Sequence, residues 1–260
     1  MKTEEIISGF GPISLEEMDS VKLMNRIDTK YVMSVPVLND ILQKISDNYF
    51  ALEIDSQRVF PYKSLYYDTV NNYMYLAHHN GRLNRFKIRF RKYISSNNTF
   101  LEIKFKQKGI RTIKKRIEVD DIEPFLGKKT GSYIEKHTPF SVSELEPKIY
   151  TDFSRITLVN KDFSERVTID QNLTFYFNGN TPFSLNNIII LELKSEGGAS
   201  KSILVESLRE KGVFPKGMSK YCLGRALSEG DIKNNNFKEK ILTFNKIENG
   251  SFYFRNTACF

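Results

Sequence analysis

Cysteine is scarce in this chain: Cys222 and Cys259 are too few to build a disulfide framework. The histidines His78, His79 and His137 show no metal-binding spacing with cysteine or carboxylate, and they read as surface or turn residues. No Walker-type phosphate loop is present, because Gly197-Gly198 precedes a helical pattern without the rest of that motif. A nucleophile elbow is also missing. The densest apolar patch, Ile188 to Leu193, has strand length, and no secretory leader or membrane-spanning run is visible. No tandem repeat, long linker or low-complexity block interrupts the chain. These absences leave a soluble cytoplasmic protein as the expectation. Acids are short as well: 31 Asp and Glu stand against 39 Lys and Arg, a formal charge of +8. Such an excess implies acidic partners without choosing among phosphate chains, nucleotides, nucleic acid and membrane surfaces. What is plentiful is apolar and aromatic, with 20 Phe and 13 Tyr in a chain that is 40% hydrophobic, so a folded core is expected.

The stretch from Arg85 to Lys106 is the centre of the pattern. On a strand, side chains alternate between faces. Arg85, Lys87, Arg89 and Arg91 therefore share one face, and Phe86, Ile88 and Phe90 the other. After a turn composition at Ser95-Ser96-Asn97-Asn98, Glu102, Lys104 and Lys106 alternate with Leu101, Ile103 and Phe105. An antiparallel hairpin with one oily and one cationic face follows. A solvated outer face is the plain alternative. Crowding weighs against it, since two cations about 4–8 Å apart repel by about 2–4 kcal/mol at an effective dielectric near 20. Bound polyanion is the economical source of the missing negative charge.

Other elements read in order. Ser14 caps a helix running to about Leu23, and Arg26 to Val32 is a strand with Arg26, Asp28 and Lys30 on one face. Pro36 opens a helix ending near Asn48; Ser64 to Thr69 is a strand, and Tyr73 to His79 a short helix or turn. Arg111 to Val119 forms a strand whose polar face holds Thr112, Lys114, Arg116 and Glu118. Asp121 to Phe140 is turn-rich with short helical pieces. Four strands are expected at Lys148–Leu158, Glu165–Asp170, Leu173–Phe177 and Ile188–Lys194. Helices follow from Ser200 to Lys211, from Ser219 to Leu227 with Cys222 buried in it, and over Phe237 to Phe244. Residues 1–230 are expected to form one domain, with 231–260 an extension packing on it or trailing from it.

So many antiparallel strands carrying cations on one face tend to close or pack together, and closure would make a basic tunnel. Arg offers phosphate a planar fork and Lys a point charge. Glu192, Glu102 and Asp170 are candidate hard-oxygen ligands for a divalent metal, with internal salt bridges the competing reading for each. A base-stacking sheet is disfavoured, because Phe86, Phe90 and Phe105 lie opposite the cations; no nucleic acid partner is expected.

Asp28-Thr29-Lys30-Tyr31, Arg89-Phe90-Arg91, Leu101-Glu102-Ile103-Lys104, Arg155 after Tyr150, Arg166-Val167-Thr168-Ile169-Asp170, Leu191-Glu192-Leu193-Lys194 and Met218-Ser219-Lys220-Tyr221 come in the order found in VTC domains. Over roughly residues 14–228 the chain resembles these polyphosphate polymerase domains, of the vacuolar transporter chaperone type, a branch of the triphosphate tunnel metalloenzymes. The resemblance implies an α+β fold, an antiparallel β-barrel tunnel flanked by helices. It implies ATP or another nucleoside triphosphate and polyphosphate as ligands, with Mn²⁺ or Mg²⁺ as cofactor. Arg89, Arg91, Arg155, Arg166 and Lys220 would be catalytic, and Lys30, Lys104, Arg116 and Lys194 would bind phosphate. Arg116 is chosen over Lys115 for its polar face, and Glu192 would hold the metal. The superfamily's paired-glutamate opening is replaced here by Arg26-Ile27-Asp28-Thr29-Lys30. The phosphate-sensing and membrane domains of the fungal proteins are missing, so any membrane transport would need a separately encoded partner. The expected activity is transfer of the terminal phosphoryl of ATP to a growing phosphate chain. A triphosphatase in the same tunnel and a non-catalytic polyphosphate-binding module are the alternatives.

Overall fold

Two-residue alternation sorts the apolar and charged side chains of this chain onto opposite faces of one large sheet. The computed structural model describes residues 2–20, 26–107, 112–177, 181–196 and 202–249. Helices α1 (Thr3–Ser8) and α2 (Leu15–Ser20) flank strand β1 (Gly11–Ile13), and β2 (Arg26–Ser34) leads into α3 (Val35–Ile45). Then come β3 (Tyr49–Leu52), β4 (Phe60–Thr69), α4 (Tyr73–His79), the hairpin β5 (Arg85–Tyr93) and β6 (Asn98–Lys106), β7 (Ile113–Val119) and α5 (Lys128–His137). Strands β8 (Leu145–Asn160), β9 (Glu165–Tyr176), β10 (Phe183–Leu185) and β11 (Ile188–Glu196) precede helices α6 (Ile203–Glu210), α7 (Lys220–Ser228) and α8 (Lys238–Asn249). No helix among the described residues is long and apolar enough to cross a membrane.

The 11-stranded sheet runs β2-β11-β9-β8-β4-β5-β6-β7, with β1, β3 and β10 attached at its sides. All pairings are antiparallel except β1 with β3. Helices α1, α3 and α6 cover one part of the outer face. Leu38, Ile41, Leu42 and Ile45 of α3 pack there with Met33, Ile156, Leu158, Val167, Ile169 and Leu191. Each such burial stabilises by about 1.5–3 kcal/mol. Helices α4 and α5 cover another part through Met74 and Ile134, against Ile88, Phe90, Leu101 and Ile103. The inner face is filled at one end by α7 and α8, where Tyr221, Cys222, Leu223, Phe237 and Phe244 meet Ile149, Phe175 and Ile188.

The fold is the expected antiparallel one with flanking helices, and two narrower expectations need correction. Its sheet is not closed by strands: among the described residues, β2 and β7, at the ends of the path, pair with no strand but β11 and β6 respectively. The Lys30 carbonyl on β2 accepts instead from the Lys216 N–H at 2.7 Å, so the segment before α7 lies against that strand. The two strands expected at 165–170 and 173–177 are one, β9. Asn172 adopts a left-handed φ of 54° beside a register shift at Asp152/Ser154, so a turn-like signal marks a bulge that asparagine tolerates. His78 and His79 are not surface residues. His79 is buried and accepts a bond from the Asn236 N–H, while burial, then Lys87, pushes His78 down to about 3. Leu23, Arg111, Gly197, Gly198, Ser200 and Cys259 lie outside the described residues.

Candidate functional site

Inner-face residues of β2, β11, β9, β8, β4, β5, β6 and β7, with the start of α7, line a cavity of about 580 Å³. Register explains the assembly. Opposite partners on antiparallel strands share a face. Lys30 stands opposite Glu192, Lys194 opposite Arg166, Arg89 opposite Glu102 and Lys104 opposite Lys114. Lys30, Lys104, Lys194, Arg89, Arg91, Arg155, Arg166, Lys220 and Glu192 all line this one space.

Arg116 does not. It is exposed, and its guanidinium lies over the Phe100 ring at 4.7 Å from the centroid. Lys114, one inner position earlier on β7, takes the lining place assigned to Arg116. Lys87 and Asp28 also line the cavity without having been selected, though alternation placed both on polar strand faces. The choice along β7 depends on its register with β6, which alternation alone leaves open.

Three inner carboxylates are each held by two cations from separate positions. Arg89 reaches Glu102 through Nε at 2.8 Å and Nη2 at 2.5 Å, and Lys114 sits 2.5 Å from its other oxygen. Arg155 grips Asp170 with two bonds, at 2.6 and 2.9 Å, while Lys220 holds the same carboxylate. Lys30 lies 2.9 Å from Glu192, whose other oxygen meets Lys194. Burial alone would raise these carboxyls. The paired cations outweigh it and hold all three well below the usual range.

Beyond these clamps the cavity has cations without an acid. Arg91 is 8% exposed, and its buried Nε has no hydrogen-bond partner among the described residues. The neighbouring inner hydroxyls of Ser64 and Thr151 are likewise buried without partners. Lys104 makes no ion pair among the described residues; Arg89, then burial and Arg91, lower it to about 6. Burial, then Arg89, lowers Arg91 as well.

Helix α7 completes the wall. Ser219 caps it, accepting from the Cys222 N–H at 3.4 Å, and also accepts from Lys87 Nζ at 3.0 Å. The helix is fixed from behind by Asp68, which accepts the Met74 and Tyr75 N–H groups at 2.8 Å and the Tyr221 hydroxyl at 2.5 Å. Lys220 thus enters the cavity from a rigid support, with Nζ 4.5 Å from the Phe153 centroid.

For a metal, the residues present form no self-sufficient cage. No three His, Cys, Asp or Glu side chains gather at ligating positions among the described residues. Both oxygens of Glu192 already carry ammonium partners. What the donor set fits is the sparse arrangement in which one carboxylate and the substrate's own phosphates share Mg²⁺ or Mn²⁺.

The VTC domain family model matches residues 25–229. The chain belongs to the VTC domain family. Among solved structures, a Hippeastrum protein named for adenylyl cyclase and described as having a dominant triphosphatase activity is 15% identical, with a TM-score of 0.51. The match covers 77% of this chain and 95% of that one, and it shows that this VTC domain shares the fold. A Vibrio parahaemolyticus protein named for adenylate cyclase is 10% identical (TM-score 0.43, 76% and 97% covered). The S. pombe Pct1 RNA triphosphatase is 9% identical (TM-score 0.30, 75% and 79% covered). No curated protein matches the VTC chain in sequence.

Proposed function

We propose that this VTC domain is an enzyme acting on condensed phosphate, and specifically a polyphosphate polymerase that passes the terminal phosphoryl of ATP to a growing chain. One observation carries the reading: Arg91 and Lys104 sit in the cavity with no acid to match them, beyond three acids already doubly engaged. A buried guanidinium with an unmet donor is costly unless an anion arrives. Phosphoryl transfer needs positioning and charge neutralisation more than covalent chemistry. Arg89, Arg91, Arg155, Arg166 and Lys220 would align donor and acceptor phosphates, and Lys30, Lys104, Lys114 and Lys194 would hold the rest of the chain. Glu192 would hold Mg²⁺ or Mn²⁺ together with phosphate oxygens, and the bound ion would offset charge on the transferring group. The attacking oxygen of a phosphate chain is already ionised near neutral pH, so no general base is required. Glu102, clamped by Arg89 and Lys114, is not poised to be one.

Hydrolysis in the same cavity is the second reading, because the Hippeastrum protein that shares the fold is described as having a dominant triphosphatase activity. Incubating the protein with ATP and Mn²⁺ and resolving the products separates the readings. Long anionic polymer with ADP is expected. Orthophosphate without polymer would replace the polymerase by a triphosphatase, and unchanged ATP despite tight binding would leave a binding module.

A further inference from the structure

Two residues beyond Arg91 on the inner face of β5 stands Tyr93, which also lines the cavity. Its ring meets Tyr62 at 4.9 Å and Phe100 edge-on at 5.8 Å between centroids. Phe100 stands opposite Arg91 in register, and Arg116 lies across its ring. Arg116 and Glu118 share a strand face, yet Glu118 bonds Asn98 and Arg116 makes no ion pair among the described residues. The cavity thus passes from cations to a half-exposed platform of two rings and one guanidinium plane, all at one rim.

We propose that this rim, Tyr93, Phe100 and Arg116, is a nucleobase platform that stacks the base of a nucleoside triphosphate whose phosphates lie among Arg89, Arg91 and Lys104. The proposal rests on the condensed-phosphate reading of the cavity. Two residues of strand span about 6.6 Å, a gap that a single ribose bridges between α-phosphate and base. Stacking on rings and on a guanidinium plane accepts any base, so the platform distinguishes nucleotides from bare phosphate chains without choosing among nucleotides. An acceptor polyphosphate has no base, and so would bind without using the rim.

Isothermal titration in EDTA, with the β,γ-imido analogue of ATP and separately with inorganic tripolyphosphate, tests this. Phe100→Leu is expected to weaken the ATP analogue about tenfold while tripolyphosphate stays within about twofold. Arg116→Lys keeps the charge and loses the plane, and is expected to weaken the analogue about threefold with tripolyphosphate again unmoved. Unaltered binding of the analogue in both variants, or an equal loss for both ligands, overturns the platform while leaving the phosphate site standing. Failure of the wild type to bind either ligand would remove the condensed-phosphate reading and the platform with it.

Discussion

Lys104 stands on β6 with Arg89, Arg91 and Lys114 as cationic neighbours, and its ammonium is lowered to about 6 from an ordinary 10.5. At pH 7.5 the empty protein therefore holds it largely neutral, and an entering anion restores the proton. Ligand binding at that pH is expected to take up a proton, and affinity to weaken as pH rises from 6 towards 10. Calorimetry in buffers of different ionisation heat measures the uptake; equal heats in every buffer would refute it, and Lys104→Met should abolish it. For folding the sign is opposite. The unfolded chain binds more protons between the two values, so the strain from Lys104 is full below about 6 and relieved as pH climbs.

Asp170, 3% exposed, makes a second residue-scale case. Asp170→Asn leaves Arg155 and Lys220 buried without their anion, which should cost about 3–5 kcal/mol in urea unfolding. Added tripolyphosphate is expected to recover part of that loss; no recovery would place the acid outside the ligand's reach.

At the scale of the element, α7 is the part whose position matters most to the cavity, because it brings in Lys220 and the Ser219 partner of Lys87. Gly224 lets it approach the sheet: an added Cβ would lie 2.4 Å from Phe175 Cδ1 and 3.0 Å from Ile149 Cδ1. Gly224→Ala should therefore cost about 1–3 kcal/mol and displace Lys220, seen as a lower melting temperature together with weaker tripolyphosphate binding. Elements of this kind were readable in the sequence where one periodicity governs them. The hairpin, the Pro36 helix and α7 itself announce their apolar and polar faces within a dozen residues. Strands β1, β3 and β10 are too short to show alternation, and α1 too short to show a stripe.

For the whole molecule, the charge count and alternating cations disclosed a cation-lined cavity, while its internal pairing stayed hidden. Which lysine meets Glu102, or that Asp170 serves both a strand and a helix, depends on register and on contacts between distant segments. A helix over Phe237 to Phe244 was legible, but whether the segment from 231 packs on the domain or trails from it was not. Phe244 is 1% exposed and Phe237 5%, both within the cluster that fills one end of the sheet's inner face. Deleting residues 231–260 is expected to destabilise by about 3–6 kcal/mol, from the loss of these two rings alone. Chemical denaturation checks this, and an unchanged midpoint would contradict it.

Glu102, Asp170 and Glu192, with two cations apiece, also set a threshold for what enters. An incoming solute must win ammonium and guanidinium groups away from resident carboxylates, as on an ion-exchange resin already loaded with counterions. Chloride, with a single charge, gains too little from that trade. On the proposed function, a triphosphate would bring several charges on one backbone and displace several residents together, so valence would become the sorting rule.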